Sequence, residues 1–84
     1  MSDLEFDILD ELYFVTPFDA LQQTLQMDEA VLKPALYELI GKGWVKCFHP
    51  GSIEVVTEEL HYEENFHRYH YLATKAGLLA HNSR

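Results

Sequence analysis

The chain has 84 residues and a mass of 9.8 kDa, with six Lys and Arg against fourteen Asp and Glu, a formal net charge of −8 and a pI near 4.8. A chain of this size buries about 60% of the surface its unfolded form exposes, enough for one small core over residues 1–84 but not for a second domain or a deep cleft between layers. Hydrophobic residues make up 48% and aromatics 13%, which argues against disorder, and the acidic balance repels phosphate backbones and anionic lipid.

Cys47 stands alone, so neither an internal disulfide nor a thiolate zinc site can form, and it reads as a small buried hydrophobe. The acidic start from Met1 to Glu5 is unlike a signal peptide, and no apolar run is long enough to span a bilayer. A cytoplasmic chain without a cofactor is expected.

In chain order, Ser2 and Glu5 form a capping-box pattern that opens a first helix. Leu4, Ile8, Leu9, Leu12 and Tyr13 form its apolar stripe, and Asp3, Asp7, Asp10 and Glu11 its wet face, with Phe6 at the edge. Thr16 reads as the N-cap of a second helix, with Pro17 at its first position and Asp19 in its first turn. This helix runs to about Leu25 and turns Gln22, Gln23 and Gln26 outward. Asp28 caps a third helix whose inward stripe is Leu32, Ala35, Leu36, Leu39 and Ile40. Pro34, near its sixth position, is expected to distort the first turn or to delay its start. Gly41 and Gly43 mark its end.

After Gly43 the period changes. Residues 44–49 read as a strand, Pro50-Gly51 as a turn, and residues 53–57 as a second short strand. Residues 58–67 show no clean period and read as a solvated acidic loop. Tyr69–Ala73 reads as a return strand, and Thr74 as the cap of a closing helix through Leu78, Leu79 and His81.

The run Leu36-Tyr37-Glu38-Leu39-Ile40-Gly41-Lys42-Gly43-Trp44-Val45 resembles the junction between recognition helix and first wing strand in the winged helix-turn-helix superfamily, and is similar to the MarR-like and PadR-like versions of it. Tyr71-Leu72-Ala73-Thr74-Lys75-Ala76-Gly77 resembles the close of the same wing, with Ala73 where Leu is usual. The resemblance implies an α+β fold: a three-helix core, an antiparallel β-wing and a C-terminal helix. It also implies a role in transcription regulation, by DNA binding or by protein contact.

DNA binding in this fold needs hydrogen-bond donors on the outer face of the third helix and cations on the wing. That outer face offers Glu29, Ala30, Lys33, Pro34, Tyr37 and Glu38, of which only Lys33 is a strong donor. Candidate phosphate contacts are Gln22, Gln23, Gln26, Lys42 and Lys46. The wing carries Glu58, Glu59, Glu63 and Glu64, with no Lys or Arg between Pro50 and Phe66. Specific DNA binding draws on about six to ten phosphate contacts. Protonating all five histidines would still leave this chain at −3.

The expected function is therefore a non-catalytic regulatory module that docks a basic protein partner through Lys33, Pro34 and Tyr37 and the acidic wing. A dimeric DNA-binding regulator is the alternative. A second alternative is a metal- or pH-responsive regulator using His61, His67 and His70 among the wing glutamates. Leu4, Phe6, Leu78 and Leu79 are the candidate face for a homodimer. No nucleophile set or nucleotide fingerprint points to an enzyme.

Overall fold

In a computed structural model, residues 1–83 are described, so Arg84 among the chain's cations lies outside them. The described residues form an α+β fold with five α-helices, a short 3₁₀ turn and a four-stranded antiparallel sheet. In chain order the elements are α1 (Asp3–Asp10), β1 (Thr16–Pro17), α2 (Phe18–Leu25), α3 (Glu29–Gly41), β2 (Val45–His49), β3 (Ile53–Glu54), the 3₁₀ turn Thr57–Glu59, α4 (Tyr62–Asn65), β4 (His70–Ala73) and α5 (Lys75–Asn82). No helix among the described residues is long and apolar enough to cross a membrane.

The capping box at Ser2 forms as read: the Glu5 amide donates to Ser2 Oγ at 3.1 Å, and the Ser2 amide donates to Glu5 Oε1 at 3.0 Å. Helix α1 ends at Asp10, so Tyr13 does not continue its stripe. Leu12 is nonetheless fully buried, and its carbonyl accepts the Ala73 amide at 2.9 Å, which ties the α1–β1 connection to β4.

Thr16 and Pro17 depart from expectation. They form the edge strand β1, with Thr16 opposite Tyr71 and Pro17 opposite His70. The Thr16 hydroxyl turns back to the Phe14 carbonyl at 2.7 Å, and α2 starts without a side-chain cap. An edge position suits Pro17, which has no N–H for a neighbouring strand.

Helix α3 starts at Glu29 and runs unbroken past Pro34, so the late start does not occur. Leu32, Ala35, Leu36 and Leu39 are buried on either side of the proline, and their packing offsets the one missing backbone bond. The helix ends in a Schellman motif. The Trp44 amide donates to the Leu39 carbonyl and the Gly43 amide to that of Ile40, both at 3.0 Å, with Gly43 at φ 77°.

Sheet order is β1-β4-β2-β3, with Val45 opposite Ala73, Cys47 opposite Tyr71 and Phe48 opposite both His70 and Glu54. Strand β3 is only two residues long, shorter than the 53–57 run expected, because the chain leaves the sheet after the Val55 amide bonds the Cys47 carbonyl at 2.9 Å. One core forms between the inward side of α1, α2 and α3 and the sheet face bearing Val45, Cys47, Tyr71 and Ala73. Cys47 is buried as expected, and burial pushes its thiol up to about 12, well away from thiolate reactivity.

The segment after β3 is not the loop its sequence suggests. It winds through the 3₁₀ turn and α4, and sends Tyr62 and Phe66 into the core at 6% exposure each. Phe66 meets the Phe18 ring edge-on at 5.2 Å, and the buried Tyr71 hydroxyl donates to the Phe66 carbonyl at 2.8 Å.

The two junction runs meet face to face. The Thr74 amide donates to the Trp44 carbonyl at 2.9 Å, the Thr74 hydroxyl to the Gly43 carbonyl at 2.6 Å, and the Gly77 amide to Thr74 Oγ1 at 3.0 Å. A Cβ placed on Gly77 would stand 2.2 Å from the Trp44 carbonyl oxygen, so only glycine lets α5 approach β2 this closely.

Candidate functional site

The outer face of α3 is flanked and not covered: Lys33 is half-buried, while Glu29, Ala30, Pro34, Tyr37 and Glu38 stay exposed. The segment from Thr57 to Tyr69 lies against it, anchored from below by Tyr62 and Phe66 and tied along its edge by polar contacts. Tyr62 donates its hydroxyl to the Lys33 carbonyl at 2.6 Å, and its ring packs against Tyr37 at 5.2 Å. Burial pushes the Tyr62 phenol well above its ordinary value, so it stays a protonated donor. Lys33 Nζ bonds Glu63 Oε2 at 2.6 Å and stands 4.6 Å from the centre of the Phe66 ring. Nearer the helix start, His67 Nε2 lies 2.9 Å from Glu29 Oε1.

Every central lysine is held in this manner by a different element. Lys42 bonds Glu5 on α1 and covers Trp44 at 4.8 Å. Lys46 stands 4.0 Å from Glu54 on β3 and 5.7 Å from the Phe48 ring. Lys33, Lys42 and Lys46 therefore point to three separate acids and do not converge into a positive strip. Gln22 is half-buried on α2, while Gln23 and Gln26 are exposed, and Gln26 ends that helix in the left-handed conformation at φ 53°. Arg68 and Lys75 are exposed and carry no ion pair among the described residues.

Glu5 is buried at 9% exposure, yet fully provided for. The Lys42 ammonium, then the Ser2 amide, hold its carboxyl below the usual carboxylate range in spite of burial.

The acidic residues Glu58, Glu59, Glu63 and Glu64 are all exposed, as the sequence suggests. The histidines do not gather around them. His61 lies 3.8 Å from Glu64, His67 turns to Glu29, and His70 is half-buried at the start of β4. Among the described residues no group of three or more His, Cys, Asp or Glu side chains is placed to hold a metal. The metal reading of His61, His67 and His70 is thereby left without a site, because His61 and His67 turn to different glutamates and His70 lies apart on β4.

The proposed dimer face is mostly folded inward. Leu4 and Leu78 are half-buried against the core, and Phe6 stacks on His81 with ring centres 4.2 Å apart. Leu79 alone of the four is well exposed, at 59%. His81, itself buried, lies 3.1 Å from Asp10 Oδ1 and 3.1 Å from the Tyr13 hydroxyl, so it joins α5 to the end of α1.

Lys33, Pro34 and Tyr37 lie on the outer side of α3, the first half-buried and the other two exposed, beside a packed segment that the sequence reading took for a loop. Between α3 and the covering segment runs a groove of about 850 Å³ whose walls include Pro34, Tyr37, Leu60 and Glu64. The signal was present as Tyr62, Phe66 and Tyr69, spaced four and three apart among the glutamates. Comparison with models of known families, with curated proteins and with solved structures gives no match.

Proposed function

We propose that the chain is a non-catalytic winged helix-turn-helix module of a regulatory system tied to transcription, one that works through protein contact and not by gripping DNA. The element order supports the fold assignment: three helices, the second short, then an antiparallel ribbon and a closing helix, with a short first strand paired to the last. The tight meeting of the Gly43-Trp44 and Thr74-Gly77 runs, on which the resemblance rests, supports it too.

One observation carries the functional reading. Lys33, the only basic residue of α3, is bonded to Glu63 of the acidic segment that lies over the same helix. A phosphate approaching this face meets carboxylates before it meets an ammonium.

Titration of a random-sequence DNA duplex at low salt tests the reading. The expected result is no binding at micromolar protein. Micromolar binding that weakens steeply with added salt, and falls again in Lys33→Ala, overturns it.

A further inference from the structure

The groove over α3 has a definite chemistry. Its floor is apolar and aromatic, formed by Pro34 and Tyr37 from the helix and Leu60 from the covering segment. Tyr37 is 57% exposed there, although its ring is supported from below by Tyr62. Pro34 has no N–H, so the Ala30 carbonyl, at one end of the groove, lacks its usual helical donor four residues on. A second, smaller groove of about 390 Å³ shares Thr57 and Leu60 with the first and continues past Val56 and Glu58. Two grooves that adjoin at Thr57 and Leu60 offer a track that suits an extended chain better than a compact small molecule.

Charge decides what kind of chain. Glu63 and Glu64 rim the first groove and Glu58 the second, and all are exposed. Lys33, the one Lys or Arg among the described residues lining the first groove, is already paired with Glu63, and Lys46, which lines the second, stands 4.0 Å from Glu54, so Glu64 and Glu58 are left as carboxylates without a lysine. We infer that this track is a docking site for an extended basic peptide segment carrying one large apolar side chain, an inference that rests on the protein-contact reading above. The apolar side chain seats between Tyr37 and Leu60, a peptide N–H reaches the Ala30 carbonyl, and flanking Lys or Arg side chains meet Glu63, Glu64 and Glu58. The same carboxylates turn a nucleic acid away.

The test uses the full chain and a fluorescein-labelled nonapeptide with one central leucine and arginines spaced among serines, read by anisotropy at low salt. The expected dissociation constant is on the order of 10–100 μM. Tyr37→Ala weakens binding about tenfold, and so does serine in place of the probe's leucine. The double variant Glu63→Gln/Glu64→Gln weakens binding and flattens its salt dependence. Asp7→Asn/Glu11→Gln, which removes the same charge from α1, leaves it unchanged. Circular dichroism confirms that each variant is folded. Amide shift mapping on the wild-type chain needs no variant, and the perturbed amides are expected at Ala30, Lys33, Tyr37 and Leu60.

Three results overturn the inference: no binding at about 1 mM chain, equal weakening by the α1 double variant, or shifts centred elsewhere. If the probe fails and duplex DNA also fails to bind, the groove assignment falls while the protein-contact reading stands. Duplex binding through Lys33 removes both.

Discussion

Two regions pack against the α3–β2 unit, and they do so by opposite means. The junction of Thr74 and Gly77 with Gly43 and Trp44 is backbone against backbone, closed by bonds of 2.6 to 3.0 Å, with no room for a single added carbon. The covering segment from Thr57 to Tyr69 is held by side chains, with three rings inward and a row of charges outward. A backbone junction fixes geometry and tolerates almost no change. A side-chain strap leaves its outer positions free to carry a surface, and the candidate groove lies there.

The largest effect is expected where the clearance is smallest. Gly77→Ala drives a Cβ into the Trp44 carbonyl, and neither backbone can yield without breaking the Thr74 bonds. A loss of roughly 2–3 kcal/mol is expected in urea unfolding. A loss below about 0.5 kcal/mol would mean that α5 shifts freely, and would break the contrast between the two regions. Thr74→Ala comes next, at about 1–2 kcal/mol, since one hydroxyl both caps α5 and bonds the Gly43 carbonyl.

The same contrast explains what the sequence reveals. The starts of α1 and α5 and the end of α3 are set by residues within five positions of each other, so Ser2, Glu5, Gly43 and Thr74 are readable from the chain alone. Strand β1 is not, because two residues have no period and their pairing with Tyr71 and His70 is set from the far end of the chain. Thr16-Pro17 therefore resembles a helix start. The covering segment hides for a different reason: its core residues are spaced one helical turn apart inside a run dominated by glutamate, and the charge masks the period. Of the candidate site, the positions on α3 were readable and the pairing of the lysines was not, since the partners of Lys33 and Lys42 lie at least thirty residues away and that of Lys46 depends on the register of the β2–β3 hairpin.

On the strap side, Tyr62→Phe removes the hydroxyl that bonds the Lys33 carbonyl and leaves the ring in place. A cost of about 1 kcal/mol is expected. Hydrogen exchange sharpens the comparison, because faster exchange is expected in α4 and not in α5. Ser2→Ala, at the capping box, is expected to cost a similar 1 kcal/mol or so.

The capping box also sets an acid limit. The Glu5 carboxyl is held below its ordinary value of 4.5 in the folded chain, so its contribution is full above that value and is lost as pH falls through the folded one. Wild-type protein is expected to lose more stability than Glu5→Gln between about pH 5 and pH 3. Parallel losses in the two proteins would show that the Lys42 contact does not hold in solution.

The smallest effect is expected at the strap's outer tie. The Lys33 and Glu63 side chains are 27% and 72% exposed, so water screens their attraction on one side even though the bond is short. Glu63→Gln should change stability by no more than about 0.5 kcal/mol, and added salt should shrink the difference further. A loss above about 1.5 kcal/mol would place this ion pair among the elements that hold the segment down, and the strap would then be closed on its outer side as well. With the small value, the buried rings of Tyr62, Phe66 and Tyr69 are what hold the segment, and the glutamates above them are available to a partner.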